Sequence, residues 1–239
     1  MPTGPGRGIL IVGASAGLGH GISCGLPELG DRVWLVSRRR PPSLQRDDGI
    51  LRIWIEADLS DPKQIAPIAA AIGDAPLHGL IFCAATWESD ENIENVDSAE
   101  IYRILAVNIS SFIAVTKSAG KNLRASGNAK VIAIGSTYGL DNGPGRRSAY
   151  AASKFGLRGA VNAFRSTFRP DKVAVTCISP GAMASEIELD DGRNAALEWT
   201  QATRIPLTDM VLMVATLMAM SPATCVKDVV IPAMTDLDA

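Results

Sequence analysis

Gly8-Ile9-Leu10-Ile11-Val12-Gly13-Ala14-Ser15-Ala16-Gly17-Leu18-Gly19 sets the reading of the whole chain. Residues 8–12 form an unbroken apolar run, as expected of a strand buried on both faces of a parallel sheet. Three glycines follow within seven residues. Such a turn lets the backbone approach a pyrophosphate closely, and the next helix offers free N–H donors and a favourable dipole. The spacing is G-x-x-x-G-x-G rather than the commonest dinucleotide fingerprint, G-x-G-x-x-G. Taken alone, it also suits a tight strand-to-helix turn with glycines for packing. Gly13, Ser15, Ala16, Gly17, Leu18 and Gly19 are the candidate phosphate contacts. His20 comes next; with only two histidines in the chain, it is assigned to a helix surface and no metal site is expected.

Working outward, Asp31–Val36 reads as a second strand, delivering Ser37-Arg38-Arg39-Arg40 where a dinucleotide-binding unit meets the adenosine ribose. An acidic residue there would accept from a 2′-hydroxyl, whereas arginine suits a 2′-phosphate through its bidentate fork. A solvated basic turn is the alternative, but at this point of the topology Ser37, Arg38 and Arg39 point to NADP rather than NAD. Ile50–Ile55 gives a third strand. Asp58-Leu59 follows, with Asp58 placed either to accept from an adenine amino group or to begin the turn before Pro62. Leu77–Cys83 is a fourth strand, ending in the small residues Cys83, Ala84 and Ala85, across which a cofactor could lie. Trp87–Glu94 is polar and acidic, a loop. A long helix is expected from an N-cap at Asp97 or Ser98 to Leu123, with Asn108, an indifferent helix former, inside it. Val131–Ile134 is a fifth strand, and Ser136 stands just beyond its carboxyl end, where ligands of open parallel sheets sit.

Ser148–Leu157 contains Tyr150 and, four residues later, Lys154. At that spacing both side chains share one helix face. A free phenol ionises near pH 10 and is a poor proton donor or acceptor at neutrality; a fixed cation nearby favours the phenolate. The helix should run to Phe168, before Pro170. Val173–Ile178 is a sixth strand, leading to Pro180, Gly181, Met183 and Ser185. Residues 186–209 are a candidate substrate lid, with Glu186–Arg204 polar and weakly periodic. Met210–Met220 reads as an apolar helix, buried in the core or against another subunit, and Val226–Ile231 as a last strand. Strands and helices alternate throughout. This predicts one α/β domain over residues 1–239, a doubly wound Rossmann-type fold with a parallel sheet of about seven strands flanked by helices.

Composition narrows the function classes. Of the 239 residues, 47% are hydrophobic and the formal net charge is −2, so a sizeable core is expected and no broad basic field for nucleic acid. Cys24, Cys83, Cys177 and Cys225 show no C-x-x-C spacing and read as packed thiols of a reducing compartment. Met1–Arg7 lacks the apolar core of a signal peptide, and Met210–Met220, the most lipid-like run, is too short for a bilayer. No membrane association is expected, and the chain is assigned to the cytoplasm.

Together these residues resemble the short-chain dehydrogenase/reductase family, over nearly the whole chain. Gly13, Gly17 and Gly19 look like its nucleotide motif, Asp58-Leu59 like its adenine-contacting pair, and Pro180-Gly181 with Ser185 like its motif near the nicotinamide carboxamide. Asn108, Ser136, Tyr150 and Lys154 match its catalytic set in order. The sequence departs from the family in having Val12 for a threonine, Phe82-Cys83-Ala84-Ala85 for Asn-Asn-Ala-Gly, and a 14-residue step from Ser136 to Tyr150, one longer than usual. That step makes Thr137 a rival to Ser136 and puts the extra residue in Asp141–Arg147. The resemblance implies hydride transfer between NADP(H) and a small carbonyl or alcohol substrate. Tyr150 would be the proton donor, Ser136 a second hydrogen bond to the reacting oxygen, and Lys154 the partner of the phenolate and the nicotinamide ribose. Asn108 would hold a water between Lys154 and solvent. It also implies a homodimer or homotetramer. A non-catalytic NADP-binding regulator, and a dehydratase or epimerase without net cofactor turnover, are the alternatives on the same fold.

Overall fold

Alternate residues of single strands feed two separate cores. In Gly8–Val12 (β1), Leu10 and Val12 join one cluster and Ile9 and Ile11 the other; in Arg32–Ser37 (β2), Trp34 and Val36 part from Val33 and Leu35 in the same way. This is the period-two geometry of a strand covered on both faces. A computed structural model describes residues 6–141 and 146–237. The remaining strands are Leu51–Glu56 (β3), Gly79–Phe82 (β4), Lys130–Ile134 (β5), Ala174–Pro180 (β6) and Asp228–Ile231 (β7). They form one seven-stranded sheet in the order β3-β2-β1-β4-β5-β6-β7, parallel at every pairing. The expected doubly wound architecture is therefore the observed one, and the order reverses between β1 and β4. At such a switch point a crevice opens at the carboxyl ends of the strands.

Helices Gly17–Gly25 (α1) and Leu207–Met218 (α8) pack on one face, burying Leu18, Ile22, Met210, Val214 and Leu217. The other face is covered by Ala66–Ile72 (α2), Ser111–Ser118 (α4) and Ser148–Phe168 (α6), through Ile68, Ile72, Phe112, Val115, Leu157, Val161 and Phe168. Burying each large aliphatic or aromatic side chain contributes about 1.5–3 kcal/mol, which makes these two layers the main support of the sheet.

Two elements differ from the sequence expectation. The helix expected to run unbroken to Leu123 is divided into Ser98–Leu105 (α3), a π turn at Ala106–Ser110, α4, and Gly120–Ala125 (α5). Asp97 does cap its start, accepting from the Ala99 backbone N–H at 2.8 Å. The π turn coincides with Asn108, whose buried amide is pulled into bonds with two other elements. Glu186–Arg204 is not a featureless polar stretch: it holds the helix Gly192–Thr200 (α7). Ion pairs tie it down, Arg46 to Asp190 at 2.5 Å, Arg193 to Asp209 at 2.7 Å and Arg204 to Glu186 at 3.0 Å. Finally, among the described residues Ser98–Ser118 is a helical stretch long and apolar enough by length and composition to cross a bilayer, Leu207–Met218 being shorter as expected; Ile104, Phe112 and Val115 of the longer stretch lie in the protein interior.

Candidate active site

The glycine turn is shaped for close backbone approach. Gly13 has φ of 88°, in the region that favours glycine, and a Cβ on it would lie 2.6 Å from the Ala84 backbone nitrogen. A Cβ on Gly19 would lie 2.1 Å from the Gly13 carbonyl oxygen, so the helix start can sit on the turn only without one. No side chain caps the N-terminus of α1, and no acidic residue stands in its first turn. Its leading N–H groups thus face the crevice without a built-in acceptor, the arrangement that receives an anion.

A cleft of about 530 Å³ opens there, at the carboxyl ends of the strands. Nearly every expected position lines it: Gly13, Ser15, Ala16, Gly17, Leu18, Gly19, Ser37, Arg38, Arg39, Asp58, Leu59, Cys83, Ala84, Ala85, Tyr150, Lys154, Pro180, Gly181, Met183 and Ser185 all do, as does Ser136. At one end, the Ser37 hydroxyl donates to the Arg39 carbonyl at 2.7 Å, fixing the turn that projects Arg38 and Arg39 into solvent-facing positions. The Asp58 carboxylate accepts from the Ser60 hydroxyl at 2.7 Å and backbone N–H at 2.9 Å. Those bonds, with Arg38 and Arg103 nearby, hold it below the usual carboxylate range. Asp58 both begins its turn and faces the cleft.

At the other end, the Tyr150 ring is held edge-on by Tyr138 at 5.5 Å and Trp87 at 6.4 Å between centroids. Burial pushes its phenol up, while the Ser136 hydroxyl and the Arg147 guanidinium pull it down and the Glu88 carboxylate raises it further. Lys154 is buried and donates to the Ile134 carbonyl at 2.9 Å. With its ammonium removed from water and no carboxylate to compensate, its pKa is lowered to about 8. The helix carrying both residues is anchored at its far end by buried Arg165, which donates to the carbonyls of Val175 at 3.0 Å and Lys227 at 2.6 Å.

Two residues stand apart from the cleft wall. Asn108 does not line the cleft. Its Nδ2 donates to the Thr86 carbonyl at 2.8 Å and the Ser153 hydroxyl at 2.9 Å, and its Oδ1 accepts from the Thr86 N–H at 2.9 Å. With both amide hydrogens used inside the protein, its side chain ties the loop after β4 to α6. Trp199, on α7, also stands off the cleft wall: it is 55% exposed, with Arg204 stacked over its ring at 5.7 Å. Of the rival hydroxyls, Ser136 faces the cleft while Thr137 is buried beside it. The loop proposed to absorb the extra residue, Asp141–Arg147, lies largely outside the described residues. Thr86, Arg103 and Val107 also line the cleft and were not expected. Each sits one short step from a motif residue, but only the folded π turn and loop bring them to the wall.

A family model of the short chain dehydrogenases matches residues 7–195. The chain belongs to this family. Short-chain dehydrogenases are oxidoreductases that use nicotinamide cofactors, and the uncapped glycine turn with the paired arginines fits such a group. This short-chain dehydrogenase is 24% identical over 202 residues to an NADPH-dependent aldehyde reductase of Arabidopsis thaliana, covering 76% of this chain and 74% of the relative. It is 24% identical over 202 residues to a 3-oxoacyl-[acyl-carrier-protein] reductase of Rickettsia felis, covering 84% and 82%. Among solved structures, an actinorhodin polyketide ketoreductase with NADPH superposes with a TM-score of 0.82 at 21% identity, over 98% of each chain. An L-sorbose reductase from Gluconobacter frateurii does so at 0.80 and 16% identity, over 99% of this chain and 100% of that one. These likenesses match the fold of this short-chain dehydrogenase across nearly its full length.

Proposed function

We propose that this short-chain dehydrogenase is an NADP(H)-dependent enzyme that interconverts a small carbonyl compound and its alcohol, with Tyr150 as the acid–base group. The observation that carries the reading is the continuity of one cleft from Arg38 and Arg39, past the glycine turn, to Ser136, Tyr150 and Lys154. Bound nicotinamide would supply or accept the hydride. The chain would do the rest. Arg38 and Arg39 would hold a 2′-phosphate, and the N–H groups at the start of α1 the pyrophosphate. Negative charge gathers on a carbonyl oxygen as it is reduced, so donors placed there stabilise the transition state most. Ser136 would give that oxygen one hydrogen bond and Tyr150 the proton. A phenol kept protonated by burial is in the right state to donate. Lys154, on the same helix face, would meet the ribose hydroxyls.

Trp87, Thr86 and Met183 would form the substrate walls. Residues 186–209 are kept as the outer cover of the Met183 side, because Ala184 and Ile205 are hydrogen-bonded at 2.9 Å. The NADPH-dependent relatives agree with the cofactor assignment. The test is NADPH oxidation by purified protein with a panel of ketones, aldehydes and quinones, beside direct NADPH binding. Turnover with at least one compound is expected; tight binding with no turnover across the panel would favour a non-catalytic NADP-binding protein.

A further inference from the structure

The buried carboxylate of Glu88 has no part in the chemistry above. It stands on the loop after β4 and is 1% exposed. Its Oε1 accepts from the backbone N–H groups of Ala149 at 2.6 Å and Tyr150 at 3.1 Å, two of the donors that a helix start leaves unpaired. Its Oε2 is buried and has no hydrogen-bond partner among the described residues. The connection is returned from the other side: Arg147, held at φ 57° just before α6, donates from Nη1 to the Glu88 carbonyl at 2.6 Å. Trp87, the preceding residue, packs edge-on against Tyr150. The loop and the first turn of α6 are thus clamped by three hydrogen bonds, given in both directions, and the Tyr150 ring packs on the same loop.

A short neutral side chain at the helix start would satisfy the same N–H groups at less cost. A buried anion with one unpaired oxygen is expensive, and it makes physical sense where its charge acts on a neighbour. We infer that Glu88 is a positioning residue for Tyr150: its carboxylate fixes the first turn of α6, at the foot of the turn that carries the phenol, while Trp87 beside it holds the ring. This rests on the reading of Tyr150 as the proton-transfer group. The charged groups about the phenol are Glu88 on the loop, Arg147 before the helix and Lys154 within it; Ser136 and Tyr138 present neutral hydroxyls. The direction of each agrees with the inference, since Glu88 raises the phenol and Arg147 lowers it.

The test uses the three tyrosines of the chain, Tyr102, Tyr138 and Tyr150. Subtracting the ultraviolet phenolate titration of Tyr150→Phe from that of the unaltered protein isolates Tyr150 without any substrate. Glu88→Gln keeps an acceptor oxygen for the helix start but removes the charge. Its Tyr150 transition should move to lower pH, and the basic limb of carbonyl reduction should move with it. Glu88→Ala removes the cap as well, and turnover should fall by roughly 10–100-fold with NADPH affinity retained, the scale of a slightly misplaced reacting group. Full turnover in a folded Glu88→Ala, or a Tyr150 transition in Glu88→Gln that coincides with the unaltered protein, overturns the inference, and the second comparison stands even if Glu88→Ala does not fold. Should Tyr150→Phe prove fully active, the acid–base assignment falls, while the titration still decides whether Glu88 governs the phenol.

Discussion

The Lys154 ammonium lies over the face of the Tyr150 ring, 5.4 Å from its centroid, rather than against the phenol oxygen, and its hydrogen bond goes to the Ile134 carbonyl. Helical spacing placed the two side chains on one face, as the sequence requires, yet it does not make the lysine the group that draws the proton from the tyrosine. The downward pulls on the phenol come from Ser136 and Arg147, and burial outweighs them. The cation is attracted to the ring's electron-rich face and leaves the hydroxyl directed at Ser136 and the cleft.

Lys154 should make the empty protein less stable at neutral pH than in mild alkali. Its folded pKa of about 8 lies below the unfolded value of 10.5, so the unfolded chain binds the extra proton between them. Stability therefore rises with pH across that window, and the full penalty, about 3 kcal/mol at most, is present below pH 8. Lys154→Met, similar in volume, removes the penalty and also the bond to Ile134. Denaturant midpoints at several pH values should show the variant's advantage shrinking from pH 8 to 10. A difference independent of pH would contradict the buried-cation account.

Tyr150→Phe keeps the ring contacts with Trp87 and Tyr138 and removes only the transferable proton. Turnover should fall by roughly 10²–10⁴-fold with NADPH affinity unchanged. Ser136→Ala should lose about 10²–10³-fold, as for one oxyanion donor. Thr137→Ala should leave turnover close to normal, because its hydroxyl is buried away from the cleft. Turnover and cofactor affinity measured separately for each variant distinguish these effects.

The parts of the molecule legible in the sequence are those fixed by local pattern. Ile9–Val12 reads as a doubly buried strand from its unbroken apolar run, and the glycines that follow it mark a tight strand-to-helix turn, whose close backbone approach at Gly13 and Gly19 the structure then shows. The Asp97 cap was readable because a carboxylate one residue before an apolar periodic run has one obvious use. The amide partners of Asn108, Thr86 and Ser153, are not legible, since only tertiary packing brings them to it. Glu88 was hidden for the same reason. In an acidic stretch a glutamate reads as solvated, and its burial depends on a helix start 61 residues away. Local pattern carries backbone conformation; side-chain partnership across the fold is not encoded in spacing.

Self-association is expected through α3, α4 and α6. Tyr102, Ile113 and Phe155 on these helices are 74%, 41% and 43% exposed, apolar surface that a symmetric homo-oligomer would cover. Light scattering should give a mass of two or four chains of 25.2 kDa, and Phe155→Glu should shift it towards one. A single-chain mass for the unaltered protein at micromolar concentration would remove this expectation.

The final prediction concerns the choice of cofactor. Arg38 and Arg39 are exposed on the turn after β2 and line the adenosine end of the cleft, and no acidic residue occupies the strand end where a 2′-hydroxyl would need an acceptor. Asp58, the nearest carboxylate on that wall, is engaged with Ser60 and faces the positive charges of Arg38 and Arg103. It is therefore compensated and does not repel a phosphate as a free carboxylate would. A charge-assisted bond to phosphate contributes about 1.5–3 kcal/mol, so Arg38→Ala should weaken NADPH binding by roughly 10–100-fold. NADH has no phosphate at that position, so its affinity should hardly change. Arg39→Ala should show the same selectivity, since Arg39 lines the same end of the cleft. Because exposed charges are screened by salt, the preference for NADPH should also narrow as ionic strength rises. Isothermal titration of both cofactors into the three proteins, at low and high salt, measures all of this. Equal affinity of the unaltered protein for NADPH and NADH would show that the arginines serve only as a solvated turn.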